Sequence, residues 1–187
     1  MRLFHFSDNP SITEFLPRAV NTPVDRPKGQ EWLNGPLVWA VSDSHDFLYM
    51  FPRECPRILV WPTSATTPQD RKTWFGDTSA SVRAFVEKRW LKRLQAGVVY
   101  RYELPTEAFE DVGDVGMWVN RSAIIPLQTT TISDLSARIR DRNIDLTALD
   151  DLAELKGVWD TTLHASGIRL RNAKNWGPPG WPHSPPS

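Results

Sequence analysis

Cysteine is nearly absent. Cys55 is the only one among 187 residues, which rules out an intrachain disulfide framework and any cysteine-rich zinc module. Net charge is absent as well: Lys and Arg number 22, as do Asp and Glu. No global field therefore draws the chain onto a polyanion or an anionic membrane, and nucleic acid is a disfavoured partner. Long apolar runs are also missing. The first, Leu3-Phe4-His5-Phe6, breaks at Ser7-Asp8, too soon for a signal-peptide core, and none reaches the ~20 apolar residues of a membrane span. The expectation is a cytoplasmic protein that does not cross a membrane. There is no Walker A loop, no G-x-G-x-x-G, no G-x-S-x-G elbow and no paired C-x-x-C site, so the common phosphate-loop, dinucleotide and serine-hydrolase signatures are excluded.

What is present is aromatic and proline-rich, with nine Trp and 16 Pro. Their placement predicts many short elements joined by rigid turns instead of a helical bundle. With 40% hydrophobic and 24% charged residues, the chain has the balance of a globular protein with one buried core. The expected fold is α+β: a single domain over residues 1–176 with a split, bent, mostly antiparallel β core and short helices. A Pro-rich tail over 177–187 is too poor in packing residues to order itself.

Strands are predicted over Leu3 to Phe6, Leu37 to Val41, Arg57 to Trp61 and Val98 to Leu104, with Trp118-Val119 and Ala123 to Ile125 as a further pair or a bent strand. Thr66-Thr67-Pro68 reads as a cap followed by proline at the first helical position, opening a helix that ends near Gly76. The strongest helical period runs from Ser79 to Ala96, where Val82, Phe85, Val86, Trp90, Leu91 and Leu94 recur at three- and four-residue spacing. On that helix the basic residues Arg83, Lys88, Arg89, Lys92 and Arg93 form a solvated face. Further helical pieces are expected over Ile12 to Leu16, after Ser44 through Phe51, from Ile132 to Asn143 and from Asp150 to Leu163. Ile144 to Leu149 is expected to be extended. Pro17 to Gly35 shows no apolar period and reads as a long functional loop.

Several residues are candidates for chemistry. His5, on the first strand with Phe4 and Phe6 on the other face, could donate to a ligand hydroxyl or phosphate, or be a packed and satisfied histidine. Ser7 beside it has the same two readings. Tyr49, one helical turn beyond His45, could stack on a planar ring or fill the core. Arg53 and Arg57 bracket Cys55, while Arg169 and Arg171 share a face if the Leu163 to Ala173 motif is extended. Either arginine pair could clamp a phosphate or carboxylate, or pair with the acidic stretch from Glu103 to Asp114. Cys55 has no base at a fixed local spacing and reads as a buried thiol. No H-x-x-x-H or H-E-x-x-H spacing supports a metal site among His5, His45 and His164, and none is expected.

The start Arg2-Leu3-Phe4-His5-Phe6-Ser7, the block Trp32 to Ala40, the run Leu48 to Arg57 and the Leu163 to Ala173 motif together resemble a family of small bacterial proteins known as a domain of unknown function. A more distant resemblance is to ADP-ribosyltransferase-like folds, including the rifampin-modifying branch. It rests on a histidine-bearing first strand, a second strand followed by a helix with an aromatic, and the late strand Trp118-Val119-Asn120-Arg121-Ser122-Ala123-Ile124-Ile125-Pro126. That likeness implies NAD as substrate, with a small molecule or a protein as acceptor. It implies His5 on a ribose, Tyr49 on nicotinamide, Ser7 as a further cofactor contact, and Arg53, Arg169 or Arg171 on phosphate. The acidic residue that stabilises the oxocarbenium-like transition state would fall at Met117, which cannot do so; Asp111 or Asp114 could substitute. Two other readings stand beside it: a non-catalytic binding module, and a small-molecule biosynthetic enzyme with His164 as acid or base.

Overall fold

A computed structural model describes residues 1–177 apart from Thr22 and Val24. Along the chain run β1 (Leu3–Ser7), β2 (Val38–Ser42), β3 (Arg57–Trp61), α1 (Pro68–Phe75), β4 (Val82–Glu87), α2 (Leu91–Ala96), β5 (Val99–Leu104) and β6 (Glu110–Asp111). They are followed by β7 (Met117–Asn120), β8 (Gln128–Ile132), α3 (Leu135–Asp141), β9 (Ile144–Leu149) and β10 (His164–Ile168). Short 3-10 helices fill several connections, among them Asp46–Tyr49 and Leu152–Asp160. The class is α+β, with mixed sheets and few, short helices. No helix among the described residues is long and apolar enough to cross a membrane. The Pro-rich tail lies, beyond Gly177, outside the described residues.

Two compact units are formed, Met1–Arg53 with Val98–Ser133, and Glu54–Gly97 with the chain from Asp134 onward. The first holds a six-stranded antiparallel sheet in the order β6-β7-β2-β1-β5-β8. Its core gathers Leu3, Phe15, Val38, Ala40, Tyr102, Leu104, Phe109 and Ile124. The second holds a four-stranded sheet, β10-β3-β4-β9, in which only β4 and β9 run parallel. Its core is built on Ile58, Val60, Phe85, Leu152, Val158 and Trp176.

The four strands predicted at 3–6, 37–41, 57–61 and 98–104 form within a residue or so of the expected bounds. The α1 start also follows local chemistry: the Thr67 hydroxyl accepts from the Asp70 N–H, Pro68 opens the helix, and Gly76 closes it at φ 53°.

The expected helix from Ser79 to Ala96 does not form as one element. Residues 82–87 are β4, Lys88–Trp90 a 3-10 turn, and only Leu91–Ala96 is α-helical. β4 lies between β3 and β9 and is buried at Val82, Ala84, Phe85, Val86 and Glu87. A strand covered on both faces has no alternation, so its apolar run satisfies helical spacing equally well. The five basic residues therefore share no single helical face, although Lys88, Arg89, Lys92 and Arg93 are exposed as expected. Arg83 donates to Asp145, Thr147 and the Trp74 carbonyl, Lys88 pairs with Asp150, and Arg89 with the buried Glu87.

Other boundaries shift for local reasons. Ile12 to Leu16 is extended, because Phe15 exchanges both backbone bonds with Ile124. For the same reason 123–125 contributes one bridge and no strand. Ile132 ends β8, a Thr-rich strand of high β-propensity that has no apolar alternation to announce it. The helix that follows starts at Leu135 behind the Asp134 cap. The segment after Asp150 is 3-10 instead of α, capped by Asp151.

Tyr102 secures the loop after β1. Its fully buried phenol donates to the Asn9 carbonyl at 2.6 Å and receives the Ile12 N–H at 3.2 Å. Tyr102→Phe should therefore cost about 1–2 kcal/mol in urea unfolding and raise amide exchange over residues 8–16. Exchange there unchanged from wild type would contradict this role.

Candidate functional site

β1 pairs with β5 over its full length, from Leu3↔Leu104 to Ser7↔Tyr100. Its ladder with β2 on the other side stops after Leu3↔Ser42 and Phe4↔Val41. Where backbone pairing ends, a side chain takes over: His5 Nδ1 lies 2.8 Å from the Trp39 carbonyl oxygen. A carbonyl can only accept, so Nδ1 carries the proton and Nε2 presents its lone pair. Nε2 has no hydrogen-bond partner among the described residues. Ser7, next on the same side of β1, is buried and accepts from the Asn9 N–H, which leaves its own hydroxyl proton available.

The His5 ring packs on Phe15, 4.6 Å between centroids. Burial lowers its pKa below the ordinary 6.5; the bond to Trp39 opposes this, and the positive charges of Arg53 and Arg18 add to the lowering. His5 is thus a neutral imidazole of fixed tautomer at physiological pH, able to accept a hydrogen bond or a proton. Arg53 is placed by this to act on the His5 environment, although it is itself exposed.

Tyr49 is held by a different face. Its ring stacks on Phe6 at 6.0 Å, and its hydroxyl donates to Met117 Sδ at 3.7 Å. Since His5 and Phe6 are consecutive on a strand, His5 and Tyr49 belong to opposite faces of β1. The 3-10 helix carrying Tyr49 is anchored through Asp46, whose buried carboxylate meets Arg101 of β5 at 3.1 Å. Arg101 also lies over the Phe4 ring at 4.5 Å. Sequence reasoning missed this anchor, because nothing local links positions 46 and 101.

His45 and Tyr49 do reach one place, the chain's entry into β7. His45 covers Gly116, where a Cβ would come within 2.6 Å of the His45 Cβ and 2.7 Å of its ring, and Gly116 has φ 73°; both facts require glycine. His45 Nδ1 is 2.9 Å from the Ser44 hydroxyl and 3.3 Å from that of Ser42, and burial lowers its pKa. Asp114 is exposed and opens the same turn, its carbonyl accepting from the Met117 N–H at 2.8 Å. It stands three residues before Met117.

The remaining candidates lie in the second unit. His164 faces Trp61 across the β10–β3 pair, the rings stacked at 4.2 Å. Arg169 and Arg171 leave the extended geometry expected of them: β10 ends at Ile168, Arg169 adopts φ 57°, and Leu170–Asn172 is a 3-10 turn. Both still converge, on Glu54, at 3.7 and 3.0 Å. Their acidic partner is therefore Glu54 instead of the 103–114 stretch. Cys55 is buried, and burial pushes its thiol up to about 12, with Arg57 opposing; it is no nucleophile at neutral pH. Among the described residues no three His, Cys, Asp or Glu side chains are placed to hold a metal ion.

A family model for a family of unknown function, DUF6886, matches residues 4–173. The chain belongs to DUF6886. No curated protein and no solved structure matches it. The DUF6886 match spans both units and takes in the His5 strand, the Tyr49 helix, the Met117 strand and the Glu54 cluster.

The lowered pKa of His5 has a defined signature. Between its folded pKa and 6.5 the unfolded chain binds a proton that the folded chain does not, so the stability due to neutral His5 is present above 6.5 and is lost as pH falls. In urea titrations across that range, the deficit of His5→Gln relative to wild type should be largest above pH 6.5 and shrink towards acid. A deficit that is constant or grows towards acid would rule out a depressed His5 pKa.

Proposed function

We propose that this DUF6886 protein is ADP-ribosyltransferase-like: its first unit binds NAD or a related nucleotide, and ADP-ribose is transferred or hydrolysed there. The supporting observation is the parting of β1 and β2 beside His5. In the order β7-β2-β1 the three segments singled out by the resemblance are neighbours, and the β1–β2 ladder ends at Phe4, one residue before His5. Because His5 and Tyr49 leave opposite faces of β1, a ligand meeting both requires the β1 and β2 segments beyond Phe4 to move apart.

In this reading His5 Nε2 accepts from a ribose hydroxyl, Ser7 adds a donor, and Tyr49 provides the ring on which nicotinamide stacks. The bond broken is the glycosidic C–N bond, whose electron pair leaves with neutral nicotinamide. Positive charge then develops on the ribose, and Asp114 is the carboxylate best placed along the chain to offset it. An acceptor hydroxyl or water adds at the anomeric carbon and loses its proton.

Met117 favours a second reading, a module that binds the nucleotide without cleaving it. Its thioether already accepts the Tyr49 hydroxyl and has no charge with which to stabilise a cation.

Calorimetric titration with NAD, coupled to an assay for released nicotinamide, separates the two. Transferase or glycohydrolase chemistry requires both binding and release, with His5→Ala weakening binding by about tenfold or more and Asp114→Asn retaining binding while slowing release. Binding without release selects the binding module. Failure of wild type to bind NAD removes the NAD-dependent chemistry, and failure to bind ADP-ribose or ATP as well removes the nucleotide-binding module.

A further inference from the structure

β8 (Gln128–Ile132) closes one end of the six-stranded sheet. Its inner edge pairs with β5 without a bulge, from Val99↔Ile132 to Glu103↔Gln128, and its outer edge has no hydrogen-bond partner among the described residues. Sheets commonly protect such an edge with charge, proline, a bulge or a very short strand. β6, at the other end, does so: it is two residues long and both, Glu110 and Asp111, are acidic. β8 has none of these devices. Gln128, Thr129, Thr130 and Thr131 are uncharged and all exposed, so the strand is bare on both faces as well as along its edge. Just before it, Ile125 and Leu127 are 69% and 66% exposed.

We propose that β8 is a self-association edge, pairing antiparallel with β8 of a second copy about a two-fold axis at Thr130, so that the two six-stranded sheets become one. The symmetry of the segment points to a second copy. Only this register pairs every residue of β8: Thr130 with itself, Thr129 with Thr131, and Gln128 with Ile132. Pro126, which has no N–H, and Asp134, which turns the chain away at φ 50°, bound the segment four positions from Thr130 on either side. Across the axis each lies opposite the other. Threonines facing one another in a ladder are favourable pairs, and no like charges meet. On β5 the charges nearest the edge are engaged within their own chain, Arg101 by Asp46, and Glu103 by Gln128 and Arg2. The chain carries no net charge, so two copies do not repel at a distance. A foreign peptide can also add to a sheet edge, but β8 offers it no charge by which to be selected. The contact is isologous and consumes this edge in both copies, so it closes at a dimer. It does not depend on what the His5 region binds.

Sedimentation equilibrium of the full chain from about 5 to 500 μM tests this, with half-association expected at about 100 μM or below, since one strand junction is a small contact. Thr130→Lys sets two like charges opposite each other at the axis, as does Thr130→Glu, and each should weaken association about tenfold or more. An equimolar mixture of the two variants should regain it, because unlike charges then meet. Thr130 is exposed and outside either core, so both variants should keep the wild-type urea midpoint. If they do not, amide exchange of the wild type at the two ends of that concentration range decides, with the β8 amides that point away from β5 slowed only in the concentrated sample. A wild-type monomer at the highest concentration, association undiminished in both variants, a mixture no stronger than either variant alone, or β8 exchange independent of concentration would each overturn the proposal.

Discussion

One hydrogen bond organises the first unit, that from His5 Nδ1 to the Trp39 carbonyl. Two strands that part in mid-sheet leave main-chain groups without their ladder partners, which a protein tolerates only where other groups step in. The imidazole does so at one carbonyl and gains a defined state in return: protonated on Nδ1, bare on Nε2, and neutral because burial and two arginines disfavour the cation.

The surrounding structure makes that arrangement rigid. Tyr102 faces His5 across the β1–β5 ladder and ties down the loop that leaves β1. On the other face of β1, the Asp46–Arg101 pair fixes the helix that brings Tyr49 to Phe6 and Met117. Removing one partner of such a buried pair leaves an uncompensated charge, so its contribution is one of position more than of net stability. In the second unit, Glu54 and Glu87 have the comparable task. Glu54 gathers Arg169, Arg171 and Asn172, and Glu87 receives Arg89 and the Lys174 N–H, which binds the segment after β10 to its sheet.

How much of this the sequence discloses depends on the range of the interaction. Elements set by their own residues were legible: the Thr67-Pro68 start of α1, the Gly76 stop, and strands whose apolar runs end at turn chemistry. β4 was not, because its double burial comes from β3 and β9, and position 144 cannot be read from position 82. Nor was β8, whose Gln-Thr-Thr-Thr run has the right propensity but no buried face to show a period. His5 and Tyr49 were identifiable as residue types in suggestive places. That they leave opposite faces of β1, and that Trp39 holds His5 from 34 positions away, are tertiary facts without a local signal. The pairing of Arg169 and Arg171 was half visible: their shared partner exists, but Glu54 lies more than a hundred positions earlier.

The most direct measurement is the long-range proton–nitrogen NMR spectrum of the His5 imidazole at a pH above 7, assigned by comparison with His5→Gln. The structure requires a single tautomer with the proton on Nδ1 and an unprotonated Nε2, together with a slowly exchanging Nδ1–H signal. A ring protonated on Nε2, or one averaging between tautomers, would mean that His5 does not hold the Trp39 carbonyl, and the parted strands would then lack the group that defines the site.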